Sequence, residues 1–263
     1  MPVLFALSGQ RGACARLVSA CFLCYSSMAL AIGPINDTGV TGYANDTQNG
    51  LTVEPSSHPR QDARYGRDAA ALAGKLSKTG VGNKGFDFTK IANDGSVLSA
   101  SAALGAGDKD WACTRDNVTG LIWEVKATSG LREQNYTYTW YNSNPATNGG
   151  GTGTSSGNES CFINGRCDTE KFVQDVNRDG LCGTKDWRLP SVKELQGIVD
   201  FGRSNPTIDP TYFPNTPTDS YYWTSSPYSD GSSSAWYVHF LYGEVNNTFR
   251  YLGFSVRLVR SGN

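Results

Sequence analysis

Histidine is nearly absent from this chain of 263 residues, which contains only two. His58 sits in a Pro/Ser stretch and His239 in an aromatic-rich strand, and neither belongs to a Ser-His-Asp, Cys-His or H-E-x-x-H arrangement. Hydrolytic chemistry of those kinds is unsupported. No C-x-x-C pair occurs, which with so few histidines makes a structural zinc site a poor expectation. No Lys/Arg cluster stands out and the formal net charge is −1, so the footprint of a nucleic-acid-binding protein is missing. Also missing are an apolar run of the ~20 residues that a membrane-spanning helix needs, a collagen-like Gly-X-Y tract and any internal repeat.

What is present begins with a targeting segment. Arg11 and Arg16 make a positive n-region, Leu17 to Met28 an apolar h-region, and Ala29-Leu30-Ala31 an A-x-A cleavage site. Residues 1–31 therefore read as a signal peptide, and export to the periplasm, the cell surface or the medium is expected. A lipobox at Val18-Ser19-Ala20-Cys21 is a weaker alternative, because Arg16 lies immediately upstream and leaves no apolar run before it. Cleavage removes Cys14, Cys21 and Cys24, leaving Cys113, Cys161, Cys167 and Cys182. An even number of cysteines in an exported chain reads as two disulfides. Three connectivities are open, and a local Cys161–Cys167 staple with a long-range Cys113–Cys182 tie is the favoured one.

Residues 32–82 are polar and poor in large apolar side chains, with one helix-like stretch at Asp68–Ser77, and read as an extended arm or a loosely packed N-terminal extension. From Phe86 the pattern changes. Phe86–Ile91 alternates as a strand should, and Trp111–Arg115 and Leu121–Val125 flank the turn Asp116-Asn117-Val118-Thr119-Gly120 as a hairpin. Ser143–Ser160 is a Gly/Ser/Asn/Thr loop without apolar anchors, expected as a mobile insertion. Asp168-Thr169 can cap a helix over Glu170–Val176. Ser191 and Glu194 form a capping box ahead of the stripe Leu195, Ile198 and Val199. After a Pro-rich loop, Asn205–Pro217, four strands are expected at Tyr222–Ser225, Ala235–Leu241, Glu244–Phe249 and Phe254–Arg260. The sum is a loop-rich α+β domain over residues 83–263, with two helices and a C-terminal antiparallel sheet.

That terminal sheet is the candidate functional element. Alternation places Trp236, Val238 and Phe240 on a core face, with Val256 and Leu258 as further core, and Tyr237, His239 and Leu241 on the opposite face. Together with Tyr242, Asn246, Asn247, Thr248, Phe249, Tyr251, Leu252 and Phe254, the second set has the make-up of a binding surface. Tyr supplies rigid contact area, and Ser, Asn and Gly supply adaptable hydrogen bonds. Trp123, Trp187, Trp223 and Trp236 are read as core. A calcium ion is the one candidate cofactor: Asp175, Asn177 and Asp179, followed by Gly180 and by Asp186 at the twelfth position, match the spacing of a cation-binding loop. The competing reading is a helix end closed by Gly180.

Three separated segments also carry a family resemblance: Thr114–Glu124, Asp186–Leu195 and Val256–Arg260. In order and content they resemble the DUF1566 group, also described as the C-terminal domain of the Legionella collagen-like adhesin. The resemblance implies a C-type lectin-like fold and either adhesion or a receptor role. Some proteins of this kind are targets of diversity-generating retroelements, with a randomised C-terminal region. Here Ala235–Arg260 is similar to such a region. Its residues Tyr237, His239, Leu241, Tyr242, Asn246, Asn247, Thr248, Phe249, Tyr251, Leu252, Gly253, Phe254 and Ser255 are all reachable from a mutagenised AAC codon, whereas Glu244 is not. The related formylglycine-generating enzymes use late active-site cysteines, and none follows Cys182 here. The expected activity is thus non-catalytic binding of an extracellular or cell-surface protein or glycan. A fixed-sequence adhesin or envelope-assembly domain is the alternative.

Overall fold

Asp116 begins the turn that organises the first sheet. Its Oδ1 accepts from the backbone N–H of Val118 at 2.9 Å and of Thr119 at 3.3 Å, and the Gly120 N–H closes on the Asp116 carbonyl at 2.9 Å. An Asx turn followed by a glycine at φ 74° is the geometry that the Asp-Asn-Val-Thr-Gly stretch favours. The computed structural model of the protein describes residues 35–157 and 160–262. The expected signal segment, residues 1–31, lies outside them.

In chain order the elements are β1 (Tyr43–Ala44), β2 (Asn49–Leu51), α1 (Gly66–Leu72), β3 (Phe88–Ala92), β4 (Trp111–Asp116) and β5 (Leu121–Glu124). They continue with α2 (Thr169–Asp179), α3 (Val192–Gln196), β6 (Tyr221–Pro227), β7 (Ser234–His239), β8 (Glu244–Phe249) and β9 (Val259–Ser261). The architecture is α+β, loop-rich and built from antiparallel sheets. A four-stranded sheet has the order β3-β4-β5-β9, a three-stranded sheet the order β6-β7-β8, and β1-β2 form a small ribbon.

Neither larger sheet has a solvent face in the simple sense, because alternate side chains enter two different hydrophobic clusters. Ile122, Trp223 and Tyr237 point into one, with Phe172 and Val176 of α2, Trp140 and Trp187. Trp123, Tyr222 and Val238 point into the other, with Leu195 of α3 and with Ile208, Tyr212 and Phe213 of the Pro-rich loop. Where both sides are covered, side chains of both faces are buried, as Tyr237, Val238 and His239 are in β7.

Helices α2 and α3 start as their sequences dictate. Asp168 accepts from the Lys171 N–H at 2.9 Å, and Ser191 and Glu194 complete a reciprocal capping box. The disulfides are Cys113–Cys182, which ties β4 to the turn after α2, and Cys161–Cys167. Pairs of this kind belong to an oxidising compartment. No helix among the described residues is long and apolar enough to cross a membrane.

Three expectations are corrected. Residues 35–82 are not a free arm, since they lie in the same compact unit as the rest. Asn36 donates to Gly197 O at 3.0 Å and to the buried Asp116, and Asp68 accepts from the Gly39 and Gly85 N–H groups at 2.7 Å each. The Gly-rich loop after Ser143 is tied down in its described part. Asn148 is buried, Tyr141 bridges Gly153, and Arg250 donates to the Gly151 carbonyl. Its anchors are polar, which is why an apolar criterion missed them. Finally, the last strand covers only Val259–Ser261, while Phe254 and Ser255 make single bridges to Tyr138 and Tyr222.

The three segments behind the family resemblance meet in the fold. Trp123 pairs with Val259 and Ile122 with Arg260, and Val259 exchanges two backbone hydrogen bonds with Arg188 at 2.9 and 3.0 Å. Arg260 Nε binds Asp186 at 2.7 Å. Beneath them the buried Glu124 accepts from the Leu258 N–H at 2.9 Å and from Lys126 Nζ at 3.1 Å, and Arg257 donates to the Glu124 carbonyl at 2.8 Å. These motifs carry the framework that closes the domain.

Candidate ligand-binding surface

β7 is the middle strand of its sheet, with β6 on one side and β8 on the other. Its alternation therefore separates two interiors. On one side Val238 and Phe240 are buried. On the other, the Tyr221 ring lies 4.9 Å from Tyr237, 4.4 Å from His239 and 4.9 Å from Phe254, and Phe254 stacks on Trp223 at 4.6 Å. Tyr237 and His239, expected on the ligand face, are only 9% and 7% exposed. His239 Nε2 donates to the Thr218 carbonyl at 2.8 Å. Burial raises the Tyr237 phenol above its usual value, with the Glu244 charge adding to the shift. Both residues hold the sheet together. Trp236 errs in the other direction: it is half-buried within β7, opposite the irregular stretch of β6, edge-on to Tyr228 at 5.4 Å, and does not join Val238 in the core.

Solvent meets the outer hairpin instead. Tyr242, at the β7–β8 turn, is 69% exposed, and Phe249 and Tyr251, where β8 ends, are 51% and 59% exposed. Phe249 and Tyr251 stack, with centroids 5.6 Å apart and planes 13° from parallel. Asn246 is exposed, whereas Leu241, Asn247, Thr248, Leu252 and Phe254 are half-buried.

The register divides the set between two faces of β8. Trp236 opposes Asn247 and Ser234 opposes Phe249 on one, while Tyr237 opposes Asn246 and Ala235 opposes Thr248 on the other. Asn247 and Phe249 thus share a face with the half-buried Trp236 and its neighbour Tyr228. Asn246 and Thr248 share the opposite face with Tyr237. The expected surface is not one plane but the rim of a hairpin.

Phe201 was missed from the sequence. It is 43% exposed, and its ring sits against the hairpin turn so closely that a Cβ on Gly243 would come within 2.7 Å of it. Gly243, at φ 75°, is required there twice over, by backbone conformation and by the ring. Phe201 thereby abuts Gly243, the residue that follows Tyr242 in the turn. Some forty residues of chain separate them, so no local pattern reveals the pair.

The calcium-loop reading is overturned by the helix. Asp175, Asn177 and Asp179 lie within α2, where Asn177 projects about 200° away from each of its two acidic neighbours, so the three cannot converge on one ion although Asp175 and Asp179 share a face. Each also has another partner. Asp175 binds Arg166 and Arg178 at 2.9 Å, and Asn177 exchanges bonds with the Trp187 backbone at 2.8 and 2.9 Å. Asp179 lies 3.5 Å from Arg178, and Asp186 is held by Arg260. Gly180, at φ 81°, closes the helix, as the competing reading required. Among the described residues no three His, Cys, Asp or Glu side chains gather into a metal-binding group.

Comparison with known proteins adds one decisive match. The family model described as the Lcl C-terminal domain covers residues 112–260, more than half of the chain. The protein belongs to the Lcl C-terminal domain family. The match begins in β4 and ends in β9, so the β6-β7-β8 sheet and the hairpin rim fall inside the family domain, whereas β3 of the four-stranded sheet precedes it. No curated protein and no solved structure matches the chain.

Proposed function

We propose that the protein is an exported, non-catalytic binding protein that uses the rim of the β7–β8 hairpin as its recognition surface. The observation that carries the reading is the exposure of Tyr242, Phe249 and Tyr251 on a hairpin whose middle strand is packed on both faces. Large aromatics on a rigid support can bury much area in a partner at little cost in conformational entropy. Asn246 and Asn247 beside them offer hydrogen bonds on the two faces of the strand. The partner is an extracellular or cell-surface protein or glycan. Export is supported by the signal-like residues 1–31 and by the two disulfides.

The fold we assign is C-type lectin-like. Support comes from the way the last strand, β9, returns to pair with β5 near the start of the family domain, and from the two helices that cover opposite clusters. Retroelement diversification of Ala235–Arg260 is part of the same proposal in a narrower form. In it Tyr242, Asn246, Phe249 and Tyr251 vary freely, whereas Tyr237 and His239 vary only within what the aromatic cluster accepts. A nearby reverse transcriptase gene and a near-duplicate of the final codons differing only at adenines would support it, and their absence leaves a fixed-sequence receptor.

The assembly reading has one observation of its own: β8 is the outer strand of its sheet and presents an unpaired edge. Light scattering separates the two. Self-association at micromolar concentration that is abolished by Asn247→Pro in β8 favours assembly, and a monomer that binds an external partner favours the receptor. The direct test is replacement of Tyr242, Phe249 and Tyr251 by alanine together. Binding is lost while the melting temperature stays nearly unchanged. Binding that survives the triple change means the surface lies elsewhere.

A further inference from the structure

Away from the hairpin, a cavity of about 500 Å³ opens between the loops at 104–108 and 127–132 and the C-terminal end of α2. Its walls carry Leu104, Leu131 and Val176, and it is lined as well by Arg132, Asp108 and Asp179. That volume falls within the range of small-molecule sites, and the lining is mixed, with polar groups beside the three aliphatic side chains.

Arg132 is the informative residue. Its Nη1 donates to the Val125 carbonyl at 2.5 Å and the Ala112 carbonyl at 3.3 Å, which fixes the guanidinium to the strand region behind it. Its Nε and Nη2 have no protein partner among the described residues, yet they are not sealed in the interior. A half-buried guanidinium held by one nitrogen, with two others free, is preorganised for a planar anion such as a carboxylate.

The remaining charges restrict what that anion can be. Asp108 and Asp179 are exposed on the lining, and the C-terminal end of α2 adds the negative end of a helix dipole. A simple carboxylate would meet two acids, and a simple amine would meet the arginine. A molecule bearing both charges meets neither conflict.

We propose that this cavity binds a small zwitterion of the α-amino-acid class. The carboxylate lies on Arg132 Nε and Nη2, the ammonium lies toward Asp108 and Asp179, and a short aliphatic side chain packs on Leu104, Leu131 and Val176. This site is separate from the hairpin rim, and neither reading depends on the other.

The test is calorimetric titration of the purified full chain with l-leucine, with isocaproate, which lacks the ammonium, and with isoamylamine, which lacks the carboxylate. Leucine binds, and both analogues bind at least about tenfold more weakly. Asp108→Asn, an exposed change, weakens leucine by about tenfold and leaves isocaproate no weaker, since it removes one of the acids that a simple carboxylate meets. Arg132→Lys retains the charge but loses the fork, and weakens leucine and isocaproate alike. Absence of heat with leucine up to about 10 mM overturns the proposal. So does equal affinity for leucine and isocaproate, or a leucine affinity indifferent to Asp108→Asn.

Discussion

Replacing Tyr237 by alanine should damage the fold, although its sequence position suggested a contact residue. The side chain is 9% exposed and meets Tyr221 edge-on at 4.9 Å and Phe254 at 5.5 Å. Truncating a buried aromatic costs about 3–5 kcal/mol, and aromatic pairs of this geometry account for about 0.5–1.5 kcal/mol each. Because the ring keeps a small exposed edge, the lower part of that range applies, about 3–4 kcal/mol. At roughly 2–4 °C per kcal/mol for a domain of this size, the melting temperature falls by roughly 6–16 °C. Tyr242→Ala, made on a side chain 69% exposed, changes stability by no more than about 0.5 kcal/mol. Urea titration of both variants, with the disulfides kept oxidised, measures the contrast. A Tyr237→Ala loss below about 1 kcal/mol, or an equal loss in Tyr242→Ala, refutes the two-sided burial of β7.

Other expectations concern the framework. Glu194 has its acidity set by opposing effects: burial raises its pKa, but the Arg188 guanidinium and the Ser191 N–H outweigh it, so the carboxyl is held below its ordinary value. A depressed carboxylate contributes stability above its unfolded value, about 4.3, and loses it as pH falls through the folded value. Wild type is therefore more stable than Glu194→Gln at pH 6, and the gap closes progressively below about pH 4; a gap independent of pH contradicts the assignment. Serine replacement of both Cys113 and Cys182, a link spanning 69 residues, costs about 4 kcal/mol on loop entropy, against about 2 kcal/mol for Cys161 and Cys167, which span 6. Equal losses in chemical denaturation would show that strain or packing, not loop closure, dominates. Millimolar Ca²⁺ leaves the melting temperature unchanged, because Asn177 points away from Asp175 and Asp179 on α2 and both acids lie against arginines; a rise on titration restores the cation loop.

What was legible in the sequence was what is decided locally. Asp168, Ser191 and Glu194 announce their helices because a cap acts within one turn, and Asp116 to Gly120 announce their hairpin for the same reason. The cysteine pairing was also within reach, since four residues allow few choices. The exposure of β7 was not. Alternation says that Tyr237 and Val238 face opposite ways, but not that Tyr221, Trp223 and Phe254 wait on the supposed outer side. Phe201 reaches the hairpin turn at Gly243 only through tertiary structure. The calcium motif failed because its spacing is equally that of a capped helix, and the helix won through Asp168 at one end and Gly180 at the other.

The account stands most directly on one comparison: wild type and the Tyr242, Phe249 and Tyr251 triple-alanine variant, matched in melting temperature, applied to a printed glycan array and to immobilised cell-envelope proteins. The account predicts a defined wild-type signal on one surface that the variant loses. A signal that the variant keeps, or no wild-type signal on either surface, contradicts it.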